Sequence, residues 1–98
     1  MDWPDLKPHK LVIYSTVWCG DCRRLKGVFE ENGVDFEERD IDADPEAATS
    51  LKARTGRGAI PYVEINGQAF VRGWHDEDPM RWNEMTFLSE IDEALTGN

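Results

Sequence analysis

Long apolar stretches are missing from this sequence. No run approaches the roughly 20 apolar residues of a membrane span, so a membrane partner is not expected. Residues 1–9 have neither the basic region nor the apolar run of a signal peptide, which makes the cytoplasm the expected compartment. Bases are scarce: 11 stand against 20 acids, for a formal charge of −9. Nucleic acid needs a basic footprint and is not an expected partner. Repeats, low-complexity tracts and internal linkers are absent, so the 98 residues make one small domain with a modest core. Residues 1–9, with two prolines and two acids, are read as an extended arm on a body spanning 10–98. Trp3 either clips that arm to the body or leaves it disordered.

Cysteine is equally sparse, and its placement is informative. The only two stand in Trp18-Cys19-Gly20-Asp21-Cys22, after the β-prone run Leu11-Val12-Ile13-Tyr14 and before a helix-like run. A helix N-terminus carries partial positive charge and free N–H groups, which favour a thiolate over a thiol. The thiolate is the nucleophile of disulfide exchange, and a second sulfur one turn on can release a mixed disulfide. A purely structural disulfide across so short a loop stabilises little and does not suit a cytosolic protein. A zinc site needs His9 and His75 to join the cysteines, at a spacing that matches no common finger. The bases cluster: Arg23 and Arg24 follow the cysteines, and Arg54 and Arg57 are assigned to a later loop. Such a basic spot on an acidic body would draw in a small anionic thiol.

The remaining pattern supplies the elements. Residues 10–15 read as a buried central strand. A helix follows over about 20–32, with Leu25, Val28 and Phe29 as its apolar stripe and Gly33 closing it. Residues 34–41 form a charged strand, expected at a sheet edge. Asp44-Pro45 is an N-cap with proline in the first turn of a helix reaching about Arg54. Tyr62 to Ile65, Asn66-Gly67 and Gln68 to Arg72 give the pattern of a tight hairpin. Asp78-Pro79 repeats the cap signal for a last helix to about Leu95, with Met85, Leu88, Ile91 and Leu95 towards the sheet. The fold class is therefore α/β, in the order β-α-β-α-β-β-α. A four-stranded mixed sheet with helices on both faces is expected.

That order, with Cys-x-x-Cys at the first strand–helix junction and Ile60-Pro61 before the hairpin, resembles the thioredoxin-like fold and within it the glutaredoxins. Ile13-Tyr14-Ser15-Thr16, Trp18-Cys19-Gly20 and Arg24-Leu25-Lys26 resemble the mycoredoxin-like branch most. The likeness covers residues 10–72 well and the last helix loosely. It implies a cis peptide before Pro61, turning Ile60 outward to pair with an extended substrate; the alternative is a plain strand-starting proline. It implies that Arg57 holds the carboxylate of a small thiol and that Asp76 contacts its amine. Trp18 would shield the sulfurs and dock substrate, and Trp74 would line the groove. Thr16 stands where many glutaredoxins have lysine, which puts glutathione in doubt as the preferred thiol.

The resemblance implies a thiol–disulfide oxidoreductase that reduces protein disulfides or protein–small-thiol mixed disulfides. Cys19 is expected as the open nucleophile and Cys22 as the buried resolving thiol. Asp21 disfavours the neighbouring thiolate, while Arg23 and Arg24 favour it. The expected co-substrate is glutathione, mycothiol or bacillithiol, with no tightly bound cofactor and a monomeric protein. Two alternatives stand beside this. One is a [2Fe–2S]-binding glutaredoxin, for which Gly20 after the nucleophile is permissive. The other is an electron donor to ribonucleotide reductase, recharged by a thioredoxin-reductase-like enzyme.

Overall fold

Strand β1 (Leu11–Ser15) is buried at all five positions and forms the axis of the molecule. Strand side chains alternate between faces, so Leu11 and Ile13 enter one core while Val12 and Tyr14 enter another. The structure is a computed structural model and describes residues 1–75 and 82–96. Its sheet has the order β2-β1-β3-β4, with β2 (Glu37–Asp40), β3 (Tyr62–Ile65) and β4 (Ala69–Arg72). β1 pairs parallel with β2 and antiparallel with β3, and β3 pairs antiparallel with β4. This is the expected mixed sheet, with the charged strand at its edge.

Helices α1 (Gly20–Glu31) and α3 (Glu84–Thr96) cover the larger core, where Leu25, Phe29, Phe87, Leu88 and Ile91 meet Ile13, Val63 and Val71. Helix α2 (Pro45–Thr55) covers the other face through Ala47 and Leu51. Each fully buried leucine, isoleucine, valine or phenylalanine among them contributes about 1.5–3 kcal/mol. Asp44 caps α2 by accepting from the amides of Glu46 and Ala47. Gly33, at φ +67°, ends α1 while Val34 N–H reaches back to the Phe29 carbonyl.

Four expectations change. Residues Trp3–Leu6 form a 3-10 helix and not an extended arm. Asp2 and Asp5 cap it reciprocally, and Trp3 packs edge-on against Phe29, so burial of an aromatic outweighs the two prolines. Arg54 belongs to the last turn of α2 and lies over the Phe70 ring. The hairpin register pairs Ile65 with Ala69, which leaves a three-residue loop containing Asn66 and Gly67, both at positive φ. Helix α3 starts at Glu84, where the Asn83 side chain accepts from Thr86 N–H; Asp78-Pro79 lies outside the described residues. Met85 is then exposed, and Phe87 takes the inward place.

Candidate redox site at the first strand–helix junction

The central strand delivers its C-terminal end to the site. Ser15 ends β1, the loop residues 16–19 follow, and α1 begins at Gly20. Cys19 is the N-cap of α1, and its sulfur accepts from Cys22 N–H at 3.1 Å. A capping sulfur sits where the helix dipole and the first free amides favour negative charge. Cys19 and Cys22 are joined as a disulfide, with Cα atoms 5.2 Å apart. Cys19 retains 8% exposure and Cys22 none, so an incoming thiolate meets Cys19 first. Cys19 is less open than the sequence suggests.

That groove, about 540 Å³, is lined by Trp18, Cys19, Gly20, Asp21 and Arg24 on one side and by Gly58, Ala59, Ile60 and Arg72 on the other. The Ile60–Pro61 peptide is cis. Pro61 is buried, and its carbonyl accepts from Gly73 N–H at 2.9 Å. Trp18 is 67% exposed but anchored, since its indole Nε1 donates to Asp42 at 2.7 Å. Arg23 donates to the Val17 carbonyl and braces the loop ahead of the disulfide.

The structure brings together Trp18, Cys19, Cys22 and Ile60, with Pro61 behind Ile60. Arg57 is exposed on the loop after α2 and does not line the groove; its backbone bonds with the Thr55 hydroxyl. Asp76 lies outside the described residues. Trp74 stacks on Trp82 at 4.5 Å against the larger core and does not line the groove. The expected basic spot is reduced: Arg24 is bound to Asp21 at 2.6 Å, and Arg54 is turned to the α2 face, near Glu64.

Two residues were missed. Arg72 enters the groove and lies over the Tyr62 ring. Its signal was the hairpin register, which sets Arg72 opposite Tyr62, one residue past Pro61. Asp42, in the acidic loop after β2, carried no signal linking it to Trp18. Among the described residues, no group of three His, Cys, Asp or Glu side chains is placed to hold a metal ion. His9 is bonded to Asn66, at the end of β1 away from the cysteines.

The family model described as Glutaredoxin matches residues 11–71. A glutaredoxin of Pseudomonas aeruginosa is 38% identical over 66 residues, which cover 67% of this chain and 77% of that one. The solved structure of the glutaredoxin-like NrdH-redoxin from Escherichia coli, a protein with a thioredoxin-like activity profile, is 36% identical with TM-score 0.58. It covers 65% of this chain and 82% of its own. A buckwheat glutaredoxin–glutathione complex shares the fold at TM-score 0.59 and 21% identity, covering 97% and 76%.

Proposed function

The chain belongs to the glutaredoxin family, and we propose that this thiol–disulfide oxidoreductase reduces protein–small-thiol mixed disulfides and protein disulfides through Cys19 and Cys22. The observation that carries this reading is Cys19 capping α1 at the rim of a groove, with Cys22 sealed beneath it.

In the reduced protein, Cys19 thiolate attacks the small-thiol sulfur of the mixed disulfide. The S–S bond breaks, the target protein leaves as its thiolate and takes a proton from solvent, and the small thiol remains on Cys19. A second small-thiol thiolate then attacks that adduct, forming the symmetrical small disulfide and freeing Cys19. Alternatively, Cys22 thiolate displaces the small thiol and closes the Cys19–Cys22 disulfide present in the structure. Trp18 forms one wall of the groove and the Ile60 main chain the opposite edge, where an extended substrate can pair. Arg57, exposed on the loop after α2, and Asp76 remain the proposed contacts for the charged ends of the thiol, as the resemblance implies.

The co-substrate is a low-molecular-weight thiol, a reading supported by the glutathione complex of the buckwheat neighbour. Glutathione, mycothiol and bacillithiol are the candidates. The NrdH-redoxin likeness favours a second reading, recharge by a thioredoxin-reductase-like enzyme. The proposed setting is a cytoplasmic monomer. Among the described residues, no helix is long and apolar enough to cross a membrane.

The deciding experiment offers oxidised protein each of the three thiols and thioredoxin reductase in turn. The agent that restores reduction is the physiological class of donor. Cys22→Ser should keep reduction of small mixed disulfides and lose reduction of protein disulfides. A Cys19→Ser protein as active as wild type overturns the assignment. Visible absorbance of fresh protein that a chelator removes would instead mark the cluster-binding alternative.

A further inference from the structure

We propose that Asp21 sets the charge preference of the site, by occupying Arg24 with its own carboxylate and forcing an anionic thiol to displace it. This rests on the reductase reading above and names which small thiols that reductase favours.

The geometry begins at Gly20. A β-carbon there would stand 3.8 Å from Arg24 Nη1, so the guanidinium lies back over the first turn of α1. Asp21 Oδ1 meets that same Nη1 at 2.6 Å, three residues apart on the helix. Both residues line the groove that holds Cys19. The Arg24 and Asp21 side chains are 59% and 32% exposed.

An ion pair this exposed is weak, so it can be displaced. A thiol bearing a carboxylate would compete with Asp21 for Arg24 and bring like charge against it. A neutral thiol meets no such competition, and a cationic one finds Asp21 favourable. The pair therefore discounts anionic substrates relative to neutral ones without blocking the sulfur.

The test uses one cysteine peptide carried as mixed disulfides with 2-mercaptoethanol, cysteamine or mercaptoacetate: neutral, cationic and anionic. Within each variant, kcat/KM for the anionic adduct is divided by that for the neutral one. The ratio cancels changes in folded fraction and in Cys19 reactivity. Asp21→Asn should raise it by about two- to fivefold, the range of an exposed pair, and less at high salt. In an Arg24→Gln background, Asp21→Asn should raise the ratio by clearly less, because only direct repulsion by the Asp21 carboxylate is then removed. An equal rise in both backgrounds means that Asp21 acts only through its field, and overturns the proposal. So does no rise at all. Wild-type protein inactive on all three adducts defeats the reductase reading itself.

Discussion

Gly73 donates its amide to the Pro61 carbonyl at 2.9 Å, and a β-carbon built on it would stand 2.9 Å from Pro61 Cγ and 2.6 Å from Leu25 Cδ2. The first residue after β4 is thus wedged between Pro61, which precedes β3, and the second turn of α1. Leu25 is fully buried, so its methyl group has little room to retreat. Gly73→Ala should cost about 1–3 kcal/mol, the range for overpacking a filled core. The urea midpoint measures this, and an unshifted midpoint refutes the crowding. Because the shift falls on Pro61, activity should drop as well.

Trp18 is two-thirds exposed, yet a hydrogen bond to Asp42 holds it in one place. Asp42 is set in turn by the Asp40 side chain, which accepts from the amides of Asp42 and Ala43. Asp42→Ala should change stability by no more than about 1 kcal/mol, as for other exposed hydrogen bonds. It releases a groove wall that substrate must then reorder, so KM for a protein disulfide should rise about two- to tenfold. The neutral mercaptoethanol adduct should respond less, and Asp42→Asn, which keeps an acceptor, should recover most of the loss. Equal effects of both substitutions would remove the hydrogen bond from the account.

The legible parts of this molecule were those specified by neighbours in sequence. Cys19 and Cys22 at a strand–helix junction, Asp44-Pro45 at a helix start, and Asn66-Gly67 in a hairpin each act through local backbone chemistry. What escaped depends on register and packing. Trp3 enters the core because Phe29 and Phe87 leave a place for it. Arg72 reaches the groove only once β4 is paired with β3. Arg24 reads as a free cation until Asp21 is seen to hold it. Asn83, a good cap former, went unread because Asp78-Pro79 gave the stronger local signal. The order of strands and helices was accessible from periodicity, and the charge state of the groove was not.

Acid should weaken the fold through β2 and the loop after it. The Lys26 ammonium hydrogen-bonds Glu38 and lowers its pKa below the ordinary 4.5, with Ser15 adding to this and partial burial opposing it. The Arg39 guanidinium lowers Asp44 below 3.8 in the same way, helped by the amides that Asp44 caps. Depressed carboxyl groups bind protons more weakly folded than unfolded. Their stabilisation is complete above the unfolded pKa values and is lost as pH falls through the folded ones. Glu90, raised by partial burial against the pull of His75, has the opposite sign and offsets part of the loss. Urea midpoints should be level near neutrality and decline below about pH 4.5. Glu38→Gln should flatten that decline, and an identical pH profile for the variant would count against the Lys26–Glu38 contribution.

Thr16 gives the sharpest test of the loop itself. It is 2% exposed, and among the described residues its hydroxyl has no hydrogen-bond partner, although its carbonyl accepts from Cys19 N–H at 3.4 Å. A buried hydroxyl without a partner costs about 1–3 kcal/mol of lost solvation, whereas an apolar group of the same shape costs nothing there. Valine has that shape and the same β-branched backbone preference. Thr16→Val should therefore stabilise the disulfide form by about 1 kcal/mol, a gain that a core Thr→Val change gives only where the hydroxyl is unsatisfied. Denaturation of oxidised protein measures it. A destabilised variant would show that the hydroxyl has a partner in solution. The position beside Cys19 would then be held by a hydrogen bond and not by packing alone.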